Sequence, residues 1–152
     1  VDLVEVNGET FVLKQRMYSC KNAINREMLA LERLEGIPGV PRVENYLGDK
    51  DYSRGMLKTY VIGTLPKSVS ELTKKHTDQL ISLVSQIHSR GVAFLDIKLR
   101  NILIGVEDNL CLFDFDTAFF VEDDPNKFYK YARRDYDQIK YLSHDRNVGW
   151  LR

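Results

Sequence analysis

Length, composition and charge together describe a small globular protein. The chain has 152 residues, of which 43% are hydrophobic, enough for one domain or for two small lobes that share a cleft. Lysine plus arginine and aspartate plus glutamate both total 22, so the formal net charge is zero. A neutral chain lacks the global basic excess that attracts nucleic acids or anionic membranes, and we therefore expect no nucleic-acid partner.

The sequence carries no signal for a membrane span or for disulfides. No stretch approaches the roughly 20 apolar residues that a helix needs to cross a bilayer. The first residues also lack the basic region and apolar core of a secretion signal, so we expect a cytoplasmic protein without a transmembrane segment. Cys20 and Cys111 are the only cysteines, and they lack the spacing of a metal site. We expect both to be reduced thiols.

The sequence is predicted to begin with a hairpin followed by one helix. Residues 3–6 and 10–13 are short β-branched and aromatic runs, and the Asn7-Gly8 pair between them is a strong indicator of a hairpin turn. Apolar residues then recur at helical spacing over residues 21–34. Glycines and a proline follow this run and are expected to end the helix.

Two further strands are predicted at residues 42–47 and 56–62, which gives a small sheet with one helix packed on it. Residues 63–66, which read GTLP, interrupt the strand pattern. We place the boundary between two lobes there, with residues 1–63 in the first lobe and residues 64–152 in the second.

The second half is predicted to be mainly helical. Helices are expected at residues 68–75 and 78–89, with Thr77 as the cap of the stronger one. A last strand is expected at residues 110–115 and a final helix at residues 130–143. A small antiparallel sheet followed by a helical half is an α+β arrangement.

Four polar side chains near the last strand have the chemistry that phosphoryl transfer needs. That reaction requires a carboxylate to orient the attacking hydroxyl and oxygen ligands to bind Mg²⁺ against the phosphates. Asp96 can supply the carboxylate, and Asn101 and Asp114 can supply an amide and a carboxylate oxygen for the metal. Lys98 can neutralise charge on the transferring phosphate. The ordered set predicts a phosphotransferase that uses ATP and Mg²⁺.

Two runs of this sequence resemble the protein kinase superfamily. Residues 94–103 read FLDIKLRNIL and are similar to its catalytic loop, and residues 112–116 read LFDFD and are similar to its metal-binding motif. The first match is specific because it fixes several polar and apolar positions in order. The resemblance implies a single kinase-like domain over residues 1–152, with the two-lobed fold of that superfamily and the roles assigned above.

The resemblance also assigns residues that contact the nucleotide. Lys14, at the end of the run FVLK, resembles the lysine that contacts phosphate, and Glu27 on the following helix resembles its ion-pair partner. Glu32 and Glu35 on the same helix are the alternatives to Glu27. The segment expected to bind adenine through backbone hydrogen bonds is Tyr60, Val61 and Ile62.

The sequence departs from the family pattern at several places. Phe94 and Leu95 replace the usual His-Arg before the base, so the arginine that receives an activation-loop phosphate is absent. Asp116 replaces the glycine of the metal-binding motif. Residues 3–6 correspond to the second strand of the family, so its first strand and glycine-rich loop are expected to be missing. No Ala-Pro-Glu segment follows, which implies a reduced second lobe.

Three functions are compatible with this pattern. Lys98 two residues after Asp96 resembles serine/threonine protein kinases, and it makes a protein hydroxyl the first expectation for the acceptor. The compact second lobe and the motif with Asp116 resemble the lipopolysaccharide sugar kinases, so a sugar or small-molecule hydroxyl is the second. A pseudokinase that binds partners without catalysis is the third. We expect catalysis, because a scaffold has no physical need for the complete set of charged residues.

Overall fold

The computed structural model describes residues 1–15, 21–48 and 54–143. The strands are β1 (Asp2–Val6), β2 (Glu9–Gln15), β3 (Val43–Tyr46), β4 (Gly55–Thr59), β5 (Gly63–Thr64), β6 (Val92–Ala93), β7 (Ile102–Gly105), β8 (Leu110–Leu112) and β9 (Phe119–Phe120). The α-helices are α1 (Lys21–Arg33), α2 (Lys74–Ser89) and α3 (Pro125–Leu142). Cys20 lies outside the described residues, whereas Cys111 is a free and buried thiol.

β1 and β2 form the hairpin that the Asn7-Gly8 pair predicts. Both residues have positive φ angles, 53° and 81°, as the favoured two-residue hairpin turn requires, and Val6 pairs with Glu9 across the turn. The hairpin continues into a four-stranded antiparallel sheet with the order β1-β2-β4-β3. The strand β2, which carries Lys14, therefore lies inside the sheet.

Helix α1 confirms the prediction of one amphipathic helix after the hairpin. Its buried face includes Ile24, Met28 and Leu31, and it packs against the sheet at β3. Glu27 lies on this buried face and has no solvent-exposed surface. A buried carboxylate has to be paired with charge or hydrogen bonds. Because α1 places Glu27 in the interior, Glu27 needs such partners close to it.

The segment after β4 differs from its prediction. The strand expected over residues 56–62 ends at Thr59, and the expected break at residues 63–66 begins with the two-residue strand β5. β5 pairs with β7 in a three-stranded antiparallel sheet of order β5-β7-β8. A β-carbon on Gly63 would lie 2.3 Å from the carbonyl oxygen of Ile104, so this close approach of two backbones requires glycine.

Helix α2 begins four residues earlier than predicted, and its cap is Thr73 rather than Thr77. The Thr73 hydroxyl accepts a hydrogen bond from the backbone N–H of His76, and the His76 ring accepts one from the backbone N–H of Thr73. Thr77 is a buried residue of the first turn. The separate helix expected at residues 68–75 is wrong, since a single 3₁₀ turn, Val69–Glu71, forms there and Lys74 already begins α2.

Helix α3 also begins earlier than predicted, at Pro125 instead of residue 130. Proline is favourable at the first helical position because its φ is already helical and its missing N–H would have no partner there. Asp124 caps the helix and accepts a hydrogen bond from the backbone N–H of Lys127 at 3.1 Å. The strand predicted over residues 110–115 ends at Leu112, which leaves Asp114 in irregular backbone.

One hydrophobic core connects the sheets and helices. Its most buried large members include Leu34 and Met56 from the first half and Val84, Phe94 and Phe115 from the second. The antiparallel pairing and the three α-helices of the described residues confirm the α+β class, and the fold is compatible with a small kinase-like protein. Among the helices that the structure describes, none combines the length and the apolar character that a bilayer span would need.

Candidate active site

The backbone around Asp96 brings three of the predicted residues together. A 3₁₀ turn, Leu99–Asn101, folds Asn101 back so that its side-chain amide donates to the Asp96 carbonyl oxygen at 2.9 Å and to Asp96 Oδ2 at 2.8 Å. Lys98 forms an ion pair with the same oxygen of Asp96. Asn101 is buried. The loop therefore fixes the Asp96 carboxylate next to one amide and one ammonium group.

Asp114 approaches the same region from the end of β8. Its φ of 71° is in the left-handed region, which is uncommon for a residue other than glycine. The backbone N–H of Phe113 donates to the carbonyl oxygen of Asn101 at 3.3 Å, so the two segments are hydrogen-bonded to each other. A strand that continued to residue 115, as predicted, would not make this turn. Asp114 is placed by a sharp change in backbone direction instead.

Lys14 connects Asp114 to helix α1. Its ammonium nitrogen lies 2.5 Å from Glu27 Oε2 and 2.7 Å from Asp114 Oδ1. Burial alone would lower the pKa of Lys14, but the charge of Glu27 and the hydrogen bonds to both carboxylates outweigh it and raise this pKa above 10.5. Lys14 is therefore a cation at physiological pH. Of the alternatives to Glu27, Glu32 accepts a hydrogen bond from the Tyr46 hydroxyl and points elsewhere.

A cavity of about 270 Å³ opens beside these charged residues. Lys14 and Asp114 lie at its polar side, and apolar side chains such as Val12, Leu103 and Phe113 form its walls. Of the residues expected to bind adenine, Tyr60 and Val61 line the cavity, whereas Ile62 is not in the lining and is 66% exposed. A cavity with apolar walls and charged groups at one side suits a planar base joined to phosphates.

Lys58 is a site residue that the sequence interpretation missed. Its ammonium nitrogen lies 2.5 Å from Glu27 Oε1, and the residue is only 5% exposed. The strand pattern could have revealed it, because side chains two positions apart in a strand face the same side. Met56, two residues earlier, is fully buried, so the alternation along β4 directs Lys58 into the interior.

Asp135 is a second missed residue, and it supports the backbone before Asp96. This fully buried carboxylate accepts hydrogen bonds from the backbone N–H groups of Phe94 and Leu95 at 2.8 and 2.7 Å and lies 2.8 Å from His88 Nε2. Leu95 has a φ of 69°, an uncommon conformation that has to be stabilised by its surroundings. Helical spacing could have identified Asp135, because Ile139 lies one turn later on the same buried face.

Gln138, three residues after Asp135 on α3, supports the same backbone. Its side-chain amide donates to the Leu95 carbonyl oxygen at 3.2 Å and accepts from the backbone N–H of Ile97 at 3.1 Å. The two residues of α3 thus hydrogen-bond the backbone on both sides of Asp96. The position of the predicted base depends on the docking of α3.

The segment that follows Asp114 is bonded to helix α1. Arg26 donates to the Ala118 carbonyl oxygen at 3.1 Å and to Asp123 Oδ2 at 3.0 Å. Arg33 forms a two-pronged ion pair with Glu122, and both arginines lie over the ring of Phe120. The hydrogen bonds from Arg33 lower the pKa of Glu122 to about 2.

Asp116 lies where the metal-binding motif that residues 112–116 resemble has a glycine. Burial raises the pKa of Asp116 above its usual 3.8, and the charge of Asp114 raises it further. The carboxylates of Asp114 and Asp116 are therefore close enough for their charges to interact.

Burial also raises the pKa of Cys111, a cavity-lining thiol, to about 12. This cysteine is therefore protonated and unreactive at neutral pH.

The available donor atoms fit a Mg²⁺ ion whose remaining ligands come from a nucleotide and water. Among the described residues, no three His, Cys, Asp or Glu side chains converge into a self-contained metal site. Mg²⁺ generally binds through one or two carboxylates, with phosphate oxygens and waters as the remaining ligands. Asp114 offers one carboxylate at the cavity, and Asn101, whose backbone is hydrogen-bonded to that of Phe113, offers one amide oxygen, so the two residues match that pattern.

Comparison with known proteins relates part of this chain to protein kinases, although no protein-family model matches it. It is 31% identical over 106 residues to CBL-interacting protein kinase 31 of Oryza sativa subsp. japonica, across 65% of this chain and 23% of that protein. It is 29% identical over 123 residues to the probable serine/threonine-protein kinase KIN1 homolog of Encephalitozoon cuniculi (strain GB-M1), across 76% of this chain and 21% of the homolog.

A third relative has a different name. The probable SapB synthase of Streptomyces coelicolor (strain ATCC BAA-471 / A3(2) / M145) is 27% identical over 119 residues, across 66% of this chain and 13% of the synthase. The chain thus spans less than a quarter of the length of these relatives. This partial similarity to protein kinases is consistent with the protein kinase superfamily, and none of the three relatives is named as a lipopolysaccharide sugar kinase.

Proposed function

We propose that this chain is an ATP- and Mg²⁺-dependent phosphotransferase with a protein-kinase-like active site, and that its acceptor is a serine or threonine hydroxyl of a protein. The observation that carries the proposal is that Lys14, which lines the cavity with Asp114, contacts both Glu27 and Asp114, while the backbone hydrogen bond from Phe113 to Asn101 joins the Asp114 segment to the loop with Asp96. These residues are up to 100 positions apart in sequence, and folding brings them to one site.

Each residue has a role that follows from its surroundings. Asp96 lies in a fixed orientation and can accept a hydrogen bond, and then the proton, from an acceptor hydroxyl. Asp114 and Asn101 would bind Mg²⁺, which supplies charge neutralisation for the phosphates when it is bound. Lys14 would bind phosphate oxygens, and Glu27 positions Lys14. Lys98 is adjacent to Asp96 and can neutralise charge during transfer.

The proposal divides the chain into two lobes, residues 1–63 and residues 64–152, with the cavity between them. The lining supports this division, because Val12, Lys14 and Lys58 come from the first sheet and Leu103 and Asp114 come from the β7–β8 region. Tyr60 and Val61 connect the two halves and line the cavity with their neighbours. The base of ATP would lie against them, with its phosphates directed towards Lys14.

A protein acceptor is favoured over a sugar by two observations. Two relatives that are similar over most of the chain are named as protein kinases, and one of them as a probable serine/threonine-protein kinase. In addition, Lys98 stands two residues after Asp96, the spacing that resembles serine/threonine protein kinases, and it forms an ion pair with Asp96. The sugar kinase stays the second candidate because of Asp116, and the pseudokinase stays the third.

The test is transfer of labelled γ-phosphate from Mg²⁺–ATP to the protein itself, to a generic protein mixture and to sugars. We expect wild-type transfer to protein and a loss of at least about 10³-fold in Asp96→Asn and Asp114→Asn, in line with the removal of essential catalytic groups. Asp78→Asn is the matched control, since Asp78 is exposed and pairs with Lys74 on the outside of α2. Transfer to sugars alone would favour the second candidate. ATP binding without any transfer would favour the pseudokinase.

A further inference from the structure

The outer surface of helix α3 has a local excess of positive charge. Apart from the buried Asp135, Asp137 is its single acidic residue, whereas its basic residues are all exposed. These basic residues are Lys127, Lys130, Arg133, Arg134 and Lys140. Lys127 pairs with the cap residue Asp124, and in the part of the chain that the structure describes the other four have no ion-pair partner. In a chain without net charge, this helix therefore exposes uncompensated cations.

Helical geometry divides these cations into two sets. Successive residues of an α-helix are about 100° apart around its axis, and residues three or four apart share a face. Arg134 is one turn before Gln138, and Lys130 is one turn before Arg134. Gln138 hydrogen-bonds the backbone on both sides of Asp96. Arg133 is about 140° from Gln138 around the helix axis, so it faces away from the loop with Asp96.

Arg134 lies between two contacts of α3 with the candidate site. Three residues before it, the ring of Tyr131 packs edge to face against Phe119 of β9, with ring centroids 4.9 Å apart. One turn after it, Gln138 contacts the loop with Asp96. The Asp96 side chain is 26% exposed, so an acceptor hydroxyl can reach it from solvent. An acceptor bound at Asp96 therefore has Arg134 beside it.

Arg100 extends the positive charge onto the loop itself. It is exposed in the 3₁₀ turn Leu99–Asn101, four residues after Asp96, and no described residue forms an ion pair with it. Lys98 differs, since its charge is neutralised by the ion pair with Asp96. The loop and the neighbouring face of α3 therefore both present cations without counter-ions around the predicted base. Complementary potentials across an interface favour encounter and select the partner.

We propose that Arg100, Lys130 and Arg134, which we call the basic stripe, form a docking surface for an acidic segment of the protein acceptor. The inference rests on the proposed function for the identity of the acceptor. A peptide fits better than a nucleic acid, because the exposed Asp137 lies one turn after Arg134 and would repel a continuous phosphate backbone. The carboxylates of a peptide can be spaced to avoid it.

The first experiment measures kcat/KM for transfer of γ-phosphate from Mg²⁺–ATP to three peptides. Each peptide has one serine, flanked on both sides by glutamates, by glutamines or by lysines at the same positions. An exposed ion pair contributes up to about fivefold in affinity, so several should favour the glutamate peptide over the glutamine peptide at least about fivefold. The difference should lie in KM, because the basic stripe does not touch the reacting atoms. Equal kcat/KM for the three peptides would overturn the inference and leave the proposed function intact.

Ionic strength gives a second readout of the same preference. The Debye length falls from about 30 to about 8 Å as the ionic strength rises from about 0.01 to 0.15 M, so exposed pairs weaken over this range. We expect the preference for the glutamate peptide to decrease at least about twofold. A preference that does not change with salt would contradict recognition by exposed charges.

Arg134→Glu is the test variant, and Arg133→Glu is its matched control. The two changes are chemically identical and affect adjacent exposed residues, but only Arg134 shares the face of Gln138. We expect Arg134→Glu to raise KM for the glutamate peptide at least about fivefold, and Arg133→Glu to change it by less than about twofold. Adding Arg100→Glu to Arg134→Glu should make the lysine peptide the better acceptor. Equal effects of the two single variants would overturn the inference, since the total charge of the helix would then explain them.

The second experiment measures binding without transfer. A labelled glutamate peptide with alanine in place of serine is titrated with the 152-residue chain, and fluorescence anisotropy reports binding. Arg134→Glu should weaken binding at least about fivefold relative to Arg133→Glu, and Arg134→Gln should weaken it in the same direction. A poly-dT oligonucleotide that binds more tightly than the peptide and loses affinity in the same variants would assign the basic stripe to nucleic acid and overturn the inference. If the wild type transfers phosphate to none of the peptides, the proposed function fails, and this binding comparison still decides whether the basic stripe binds an acidic segment.

Discussion

Asp135→Asn tests whether the buried carboxylate of α3 determines the backbone that carries Asp96. The two carboxylate oxygens of Asp135 have three partners at 2.7 to 2.8 Å, the backbone N–H groups of Phe94 and Leu95 and the ring of His88. Asparagine keeps one oxygen and replaces the other with an NH₂ group. Either orientation places a donor against a donor in a site without exposure to water.

The expected magnitude follows from these contacts. Hydrogen bonds to a charged group contribute about 1.5–3 kcal/mol each, and an unsatisfied buried N–H costs about 1–3 kcal/mol. Loss of one such bond, with one N–H left unpaired, gives a decrease of roughly 2.5–6 kcal/mol in the free energy of unfolding. For a domain of this size, that corresponds to a decrease in Tm of about 5–24 °C. We expect the variant to fold at low temperature, because domains typically have about 5–15 kcal/mol of stability.

The assay is thermal and urea unfolding of Asp135→Asn beside Asp137→Asn. Asp137 is exposed on the same helix, so the same chemical change there should alter stability by less than about 0.5 kcal/mol. At a temperature at which both variants are folded, Asp135→Asn should also lower kcat for phosphate transfer, because Leu95 directly precedes Asp96. Equal stability of the two variants would refute the reasoning, since Asp135 would then contribute no more than a surface residue.

Three further predictions concern other parts of the molecule. Thr73→Ala should lower the free energy of unfolding by about 1 kcal/mol through loss of the α2 cap, measured by urea unfolding. Arg33→Glu should cost up to about 1 kcal/mol, and the swap Arg33→Glu with Glu122→Arg should recover most of it. The pKa of Asp116 is raised in the folded state, so ionisation costs stability as the pH rises from 3.8 through that pKa. Asp116→Asn should therefore raise the Tm at pH 7, and the gain should shrink towards pH 4.

The local fold could be predicted where one strong signal acts alone. The Asn7-Gly8 turn and the apolar stripe of α1 are such signals, because backbone conformation at glycine and helical periodicity act within a few residues. Thr73 and Thr77 show the limit of this approach. Both are acceptable caps by residue type. Thr73 is the cap in the structure because it forms the reciprocal hydrogen bonds with His76.

The supporting residues of the site were harder to predict, because their partners are distant in sequence. Asp135 lies among arginines and another aspartate, and its sequence neighbours suggest an exposed helix face. Its function in the fold appears only when α3 packs against the segment 94–97, about 40 residues earlier. Lys58 is similar, since only the packing of α1 on the sheet supplies the carboxylate that makes a buried lysine tolerable.

Helix α1 links the two groups of contacts that surround the candidate site. Its buried face presents Glu27 to the two lysines, and its other contacts join Arg26 and Arg33 to the segment between Ala118 and Asp123. Exposed ion pairs are individually weak, but here they act together with two arginine contacts on the ring of Phe120, which is buried. A shift of α1 would break both the contacts of Glu27 with the lysines and the contacts of the two arginines. The position of Glu27 therefore depends on the carboxylates of the segment that follows Asp114.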